Sequence, residues 1–301
     1  MSDIKLFQLG GTSLTELASS SSPLEKTLQT LFEKNLETLL GVRFLASEYT
    51  TTNGGRMDTL GVDENGYPVI IEYKRDRNEN IINQGLFYLD WLMDHRGDFE
   101  LLVRDKYGKE EADKIEWSAP RLVCIAADFT KYDTHAVNQM GRNIELIRYR
   151  RFGDGLLLLD LLTSVSVPSA AITAAVSDEK IQQYKTVSMG LASAKSEIAA
   201  LYSDLETFLL GLGDDVTQKT LRYYFAFRRI KNFACVDVKP QLNVVRIYLK
   251  LDPAKFELEE GFTRDVRSVG HFGTGDLEVT VATHEDLERA KPLIVQCYEA
   301  S

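Results

Sequence analysis

The stretch that ends at Lys74 constrains the fold more than any other part of the chain, because charges follow directly on a short apolar run. Val69–Ile71 has the β-branched composition of a buried strand, and Glu72 and Lys74 follow it two residues apart. Alternate residues of a strand share a face, so the carboxylate and the ammonium group point the same way and Tyr73 points the other way. We therefore predict a buried strand that ends in a charged patch.

The turn before this strand decides which residue faces Glu72. If Glu64–Gly66 form a three-residue loop with the glycine in the left-handed conformation, the strands of the hairpin pair so that Asp58 lies opposite Glu72. Two carboxylates and Lys74 then converge on one patch. A two- or four-residue loop would put Asp58 on the other face of the sheet.

A helix from about Glu79 to His95 follows the charged patch. Gln84 and Tyr88 lie four residues apart in it, so their polar groups can reach the same point. Its predicted buried stripe consists of Ile82, Leu86, Leu89 and Leu92.

An earlier helix begins at a start signature, Ser22-Pro23, and ends at Gly41. It can bring a third carboxylate to the patch, from either Glu25 or Glu33. Glu25 is also the natural capping partner of Ser22, so both assignments stay open.

The order of elements predicts a mixed α/β sheet flanked by helices, with Leu122–Ala127 as a strand buried on both faces. We expect a first domain at residues 1–162, a linker and connecting helix at 163–195, and a smaller α+β domain at 196–301. The linker is rich in Ser, Ala, Thr and Val.

Composition excludes several classes of protein. Hydrophobic residues make up 44% and charged residues 27% of the 301 residues, and no apolar run is long enough to span a bilayer. Three cysteines are too few for a disulfide framework or a structural zinc site, so we expect a cytoplasmic protein. A net charge of −10 argues against nonspecific binding of polyanions by the whole surface.

The residue types of the patch suit hydrolysis of a phosphodiester bond with the help of a divalent metal ion. Asp58 and Glu72 offer the hard oxygen ligands that Mg²⁺ or Mn²⁺ prefers, and the main-chain carbonyl of Tyr73 can add another. Lys74 would stabilise charge at the scissile phosphate. Gln84 and Tyr88 would hold the phosphate or a metal-bound water.

These residues resemble those of a known superfamily. Asp58 followed by Glu72-Tyr73-Lys74 resembles the PD-(D/E)xK nucleases, and Gln84 to Tyr88 resembles the Gln-x-x-x-Tyr element of their RecB-type branch. Residues 23–162 together look closest to NucS-type endonucleases. The resemblance implies a restriction-endonuclease-like fold, a catalytic site that needs a divalent metal, and DNA as substrate. Its spacing favours Glu25 as the helical carboxylate, with Glu33 in reserve.

The last third of the chain, about residues 195–300, resembles an uncharacterised small domain that accompanies such nuclease domains. That resemblance implies no chemistry. Arg222–Arg229 interleaves basic and aromatic residues as nucleic-acid surfaces do, although the same pattern also suits a core with a solvated rim. His271 lies among glycines and is expected to make a turn hydrogen bond.

We therefore expect a DNA endonuclease that uses Mg²⁺ or Mn²⁺, with catalytic residues Asp58, Glu72, Lys74, Gln84, Tyr88 and Glu25. A homodimer would let a protein with one site per chain cut both strands of a duplex. The alternative is a non-catalytic nucleic-acid-binding or regulatory protein on a nuclease scaffold.

Overall fold

The computed structural model describes residues 4–20, 24–75, 80–153, 155–165 and 186–301. The chain divides into two compact units, residues 1–167 and 168–301. The Ser22-Pro23 signature and most of the predicted linker lie outside the described residues. Among the helices in these ranges, none is both long and apolar enough to cross a membrane.

The first unit contains a two-stranded hairpin and a mixed seven-stranded sheet. The strands are β1 (Leu6–Gly10) and β2 (Ser13–Leu17) in the hairpin, and β3 (Ser19–Ser20), β4 (Val42–Thr50), β5 (Arg56–Asp63), β6 (Pro68–Lys74), β7 (Arg121–Ala126), β8 (Asn143–Phe152) and β9 (Leu156–Val165) in the sheet.

The sheet combines antiparallel and parallel pairing, as predicted. Strands β4, β5 and β6 form an antiparallel meander, β6, β7 and β8 run parallel, and β9 adds an antiparallel edge to β8. Strand β3 pairs with the far end of β8. Every residue of β7 is buried, which confirms the prediction of a strand covered on both faces.

Helices cover both faces of this sheet. They are α1 (Glu25–Glu33), α2 (Leu36–Leu40), α3 (Asn80–Asp94), α4 (Arg96–Tyr107), α5 (Lys109–Ala112) and α6 (Lys131–Gln139). On one face Phe32 of α1 packs edge-on against Tyr73, with 5.6 Å between ring centroids. On the other face Ile82 and Leu89 of α3 share a core with Ile70 of β6.

The predicted first helix differs from the observed one in two ways. It begins at Glu25 after Leu24, whose position makes no side-chain capping bond, and Glu25 instead pairs with Lys74. The helix also breaks before α2 at Asn35, where the backbone leaves the helical region. The predicted end at Gly41 is confirmed, and this glycine has a φ of 63°.

The close approach of α3 to the sheet depends on Gly85. A Cβ atom at this position would lie 2.4 Å from Cδ1 of Leu122 on β7. A side chain at this position would require Leu122 to move, so glycine allows the helix that carries Gln84 and Tyr88 to lie close to the sheet.

The second unit is a six-stranded antiparallel sheet with helices on one face. Its strands, in the spatial order β10-β11-β12-β13-β15-β14, are β10 (Thr217–Thr220), β11 (Phe225–Arg228), β12 (Asn232–Lys239), β13 (Val244–Leu249), β14 (Thr263–Asp265) and β15 (Leu277–Val281). Its helices are α7 (Val187–Ala192), α8 (Ser196–Leu210) and α9 (His284–Glu299). Leu201 of α8 and Ile294 of α9 pack with Ile247 and Val279 of the sheet.

Candidate active site

The hairpin turn has the geometry on which the sequence argument depends. The Asp63 N–H donates to the Tyr67 carbonyl over 2.9 Å, which closes a three-residue loop, and Gly66 has a φ of 84°. The pairs continue in register to Thr59 opposite Ile71. The predicted register is confirmed, and it places Asp58 opposite Glu72.

A buried ion network holds this turn against the parallel strands. Arg121 donates to the Asp63 carboxylate over 2.8 Å and to the Glu145 carboxylate over 3.0 and 2.7 Å. The second Asp63 oxygen accepts the N–H groups of Asn65 and Tyr67, both at 2.9 Å. The network therefore joins the loop to β7 and β8 and leaves the register of β5 and β6 little freedom.

The main-chain pairing of β5 with β6 ends at Thr59 and Ile71. Next to this pair, hydrogen bonds from main-chain N–H groups to side chains connect the two strands. The Tyr73 N–H donates to Oδ2 of Asp58 over 3.0 Å, and the Asp58 N–H donates to Oε1 of Glu72 over 3.2 Å. Each carboxylate thus accepts from the main chain of the opposite strand. Since the N–H and C=O of one strand residue point to the same side, the Tyr73 carbonyl also faces β5.

The carboxyl group of Glu72 is buried, and among the described residues hydrogen bonds satisfy only one of its two oxygen atoms. Its side chain has no exposed surface, and its Oε2 atom has no hydrogen-bond partner within the described part of the chain. Burial, and next the nearby Asp58 charge, raise the pKa of Glu72 to about 8. Burial also raises the pKa of Asp58. A buried polar oxygen without a protein partner is a position at which a water molecule or an ion can bind.

Lys74 lies at the end of β6, on the same face as Glu72. Its Nζ atom forms an ion pair with Oε2 of Glu25 over 3.2 Å, and Lys74 is the less exposed member of the pair. Helix α1 therefore brings Glu25 to the charged patch.

Glu33 occupies a different position. Its Oε1 atom accepts from Thr59 Oγ1 over 2.7 Å and from Gln29 Nε2 over 2.9 Å. Thr59 follows Asp58 in the strand, so its side chain lies on the opposite face. Of the two candidate helical carboxylates, Glu25 is the one that contacts the lysine.

Gln84 and Tyr88 come together as predicted. The Gln84 amide donates to the Tyr88 hydroxyl over 3.1 Å, and the hydroxyl accepts the Arg56 N–H over 3.4 Å. The pair thus contacts β5 two residues before Asp58. A Cβ atom on Gly55 would lie 2.4 Å from the Tyr88 ring, which explains the glycine at this position.

Sequence reasoning did not find Glu48. The register of β4 and β5 pairs Ser47 with Thr59 and Tyr49 with Met57, so Glu48 stands level with Asp58. It adopts a φ of 53°, a conformation that is strained for a residue with a side chain.

The Glu48 side chain forms ion pairs with two basic side chains at the edge of the patch. It contacts Lys26 over 2.9 Å and Arg56 over 2.8 Å, and the hydrogen bond from Lys26 lowers its pKa. The charge of Glu48 in turn helps to raise the pKa of Asp58. Finding it from sequence would have required the length of the loop after β4.

The donor atoms suit a hard divalent cation. Asp58 and Glu72 offer carboxylate oxygens from adjacent strands, and the Oε2 atom of Glu72 has no hydrogen-bond partner among the described residues. No group of three or more His, Cys, Asp or Glu residues among those described could hold a metal ion. A metal here would therefore depend on the two carboxylates, with main-chain oxygen and water completing its coordination.

Fold and site define a mixed α/β protein with a carboxylate–lysine centre on a β-hairpin. The chain belongs to the family of an uncharacterized protein from Haemophilus influenzae, to which it is 30% identical over 304 residues, covering 97% of this chain and 99% of the relative. Residues 189–301 match the family model described as a domain of unknown function, DUF5655.

Three solved structures show partial similarity. A repair endonuclease from Pyrococcus abyssi is 19% identical with a TM-score of 0.28, covering 44% of this chain and 50% of that one. EndoMS in its apo form is 20% identical with a TM-score of 0.25, and the matched region is 49% of its length. EndoMS in a complex with double-stranded DNA is 19% identical with a TM-score of 0.26, and covers 48% of this chain. The chain thus spans about half of the length of the first two.

Proposed function

We propose that this protein is a metal-dependent endonuclease that hydrolyses phosphodiester bonds in DNA. The observation that carries the proposal is the buried Oε2 atom of Glu72, which has no hydrogen-bond partner among the described residues and lies beside a second carboxylate on the neighbouring strand. Asp58 and Glu72 would hold Mg²⁺ or Mn²⁺, and the Tyr73 carbonyl faces the same side of β6. Such an ion, when bound, activates water and neutralises charge on the phosphate.

The remaining residues have roles that follow from their contacts. Lys74 provides a cation beside the carboxylates and stabilises negative charge that develops on the phosphate. Glu25 holds the Lys74 ammonium group in place through their ion pair. Gln84 is only half-buried, so its carboxamide is the member of the Gln84–Tyr88 pair that can contact a phosphate.

The central test is Lys74→Ala. Cleavage of single-stranded, duplex, mismatched and flapped DNA, and of RNA, should be screened with Mn²⁺ in the wild-type protein. On the best substrate we expect Lys74→Ala to lower the rate by roughly a hundredfold or more, because a preorganised charge-stabilising group is lost. Circular dichroism would check that the fold survives.

Lys109→Ala is the matched control, because Lys109 is an exposed lysine that also forms an ion pair, with Asp113. It should cleave like the wild type. Wild-type rates in Lys74→Ala would overturn the proposed mechanism.

One observation favours the alternative function. The ion pair with Glu25 offsets part of the Lys74 charge on which the proposed chemistry depends. Nucleic-acid binding without cleavage of any substrate would therefore identify a non-catalytic binding protein on this scaffold.

We also propose a homodimer in the cytoplasm, since each chain carries one site and a duplex has two strands to cut. Light scattering after size-exclusion chromatography measures the mass directly. A mass near the 34.0 kDa of one chain would contradict the dimer.

A further inference from the structure

The sheet of the second unit has one face that its helices do not cover. Residues that alternate with its core positions define this surface, called here the polar face. In strands β10–β15 its charged members are five basic and two acidic residues: Lys219, Arg228, Lys239, Arg246, Arg264, Asp237 and Glu278. The whole chain carries a net charge of −10, so this excess of positive charge runs against the rest of the protein.

Both acids of the polar face are buried, as are Lys219 and Arg228, whereas Lys239, Arg246 and Arg264 are more exposed. Arg246 and Arg264 both pair with Glu278, over 3.7 and 3.1 Å, and the exposed fractions of these side chains are 26%, 52% and 5% in that order. Two guanidinium groups thus share one carboxylate. Asp237, 7% exposed, pairs in the same way with the more exposed Lys239 over 2.5 Å. The side chains of Lys239, Arg246 and Arg264 are therefore accessible to solvent, and nearby carboxylates neutralise only part of their positive charge.

Aromatic rings adjoin this charged surface. Tyr223 and Phe272 stack with 4.3 Å between ring centroids, and Tyr248 and His271 stack at 4.6 Å. Phe272 remains 39% exposed. The glycine-rich segment that carries His271 and Phe272 lies tightly on the sheet, because a Cβ atom on Gly273 would lie 2.7 Å from that of Cys235.

The dimensions of the surface match an extended polyanion. The exposed cations lie on β12, β13 and β14, which span three strand spacings of about 4.8 Å, or roughly 14 Å. Several consecutive phosphates of a nucleic-acid strand fit within that distance. An exposed aromatic ring such as that of Phe272 beside cationic side chains suits the binding of a single strand, because bases stack on aromatic rings.

We propose that the polar face of the second unit binds a nucleic-acid strand, with Arg264, Arg246 and Lys239 on its phosphates and Phe272 under its bases. The choice of nucleic acid as the ligand rests on the proposed function. Binding by this face would give the second unit the task of holding the substrate.

The test measures binding without cleavage. Fluorescence anisotropy with a labelled single-stranded oligonucleotide in EDTA, repeated over a range of salt concentrations, gives the slope of log K against log salt. We expect Arg264→Gln and Lys239→Gln each to reduce the slope by about 0.7, the value for one lost phosphate contact on a single strand. Phe272→Ala should weaken binding about fivefold or more with little change of slope.

Two controls separate charge from folding. Arg289→Gln removes a similarly exposed arginine from α9, which packs on the opposite face of the sheet, and its slope should equal that of the wild type. Arg264→Lys keeps the charge and should keep the slope. Equal slopes for Arg264→Gln, Lys239→Gln, Arg289→Gln and the wild type would overturn the proposal.

The outcomes distinguish this inference from the proposed nuclease function. Cleavage in Mn²⁺ together with unchanged slopes in the variants would rule out nucleic-acid binding by the polar face and support the nuclease function. Reduced slopes together with no cleavage of any substrate would support nucleic-acid binding by the polar face and rule out the nuclease function.

Discussion

Among single residues, the proposed chemistry depends most on Glu72. Its carboxyl group lies inside the sheet, with one oxygen bonded to the Asp58 N–H and the other without a partner in the described structure. A buried ionised carboxylate is costly without a partner, so the metal-free protein keeps this group protonated at neutral pH. A bound cation would replace that proton.

Metal-free stability should therefore depend on pH through Glu72. The folded-state pKa of Glu72, about 8, lies above its ordinary value of 4.5. The contribution of Glu72 to the free energy of unfolding is therefore fully present below pH 4.5 and is lost as the pH rises to about 8. Each pH unit in this window costs about 1.4 kcal/mol. Calorimetry in EDTA should show wild-type Tm falling from pH 5 to 8, and Glu72→Gln falling less.

Glu110→Gln, at an exposed position on α5, is the control for this experiment and should follow the wild type. Parallel curves for all three proteins would mean that Glu72 does not titrate differently in the folded state.

At the scale of elements, the β5–β6 hairpin depends on its buried arginine. Arg121 is the shared partner of Asp63 and Glu145, and all three side chains are buried. Removing the cation would leave two carboxylates buried close together without compensation. We expect Arg121→Met to destabilise the protein by about 3–5 kcal/mol, measured by urea unfolding.

Arg43→Met provides a matched comparison, because Arg43 pairs with Glu111 in a partly exposed position. Its expected cost is at most about 1 kcal/mol. Similar losses in the two variants would show that burial of the Arg121 network does not matter.

The turn itself can be tested at Gly66. This residue has a φ of 84°, and an added Cβ would meet the Lys114 carbonyl oxygen at 2.6 Å. Gly66→Ala should therefore destabilise the protein by about 1–2 kcal/mol or more. Gly97→Ala in helix α4, where nothing lies within 4 Å, should instead stabilise it by about 0.5–1 kcal/mol. Thermal unfolding of both variants measures the contrast.

Sequence predicted the hairpin well because its signals are local. The glycine at the left-handed turn position fixed the register, and that register placed Asp58 opposite Glu72. Other features depend on contacts distant in sequence. The Gln84–Tyr88 pair contacts the Arg56 main chain, and the position of Glu48 depends on the five residues between β4 and β5. The break at Asn35 within the first helix had no local signal.

At the scale of the whole molecule, the two units belong together in the family. The similarity to the Haemophilus influenzae protein extends over 97% of this chain, so it includes both the hairpin site and the second sheet. A nuclease centre in one unit and a binding surface in the other would divide chemistry and affinity between them.

Metal binding should be visible as added stability of the whole chain. A cation that binds only the folded protein stabilises it by about 2.7 kcal/mol at a hundred times its Kd. Mn²⁺ should therefore raise the Tm of the wild type and of Arg264→Gln equally, and should leave Glu72→Gln unchanged. A shift that persists in Glu72→Gln would place the metal elsewhere.

The two hydrogen bonds between main-chain N–H groups and carboxylates of β5 and β6 also make the state of the site observable by spectroscopy. The amide protons of Asp58 and Tyr73 each point at a carboxylate oxygen of the site, so their nuclear magnetic resonance frequencies respond to any charge placed there. Proton loss, cation capture and phosphate arrival would each alter these two signals. A labelled sample could thus follow the site through its successive states without waiting for a cleaved product.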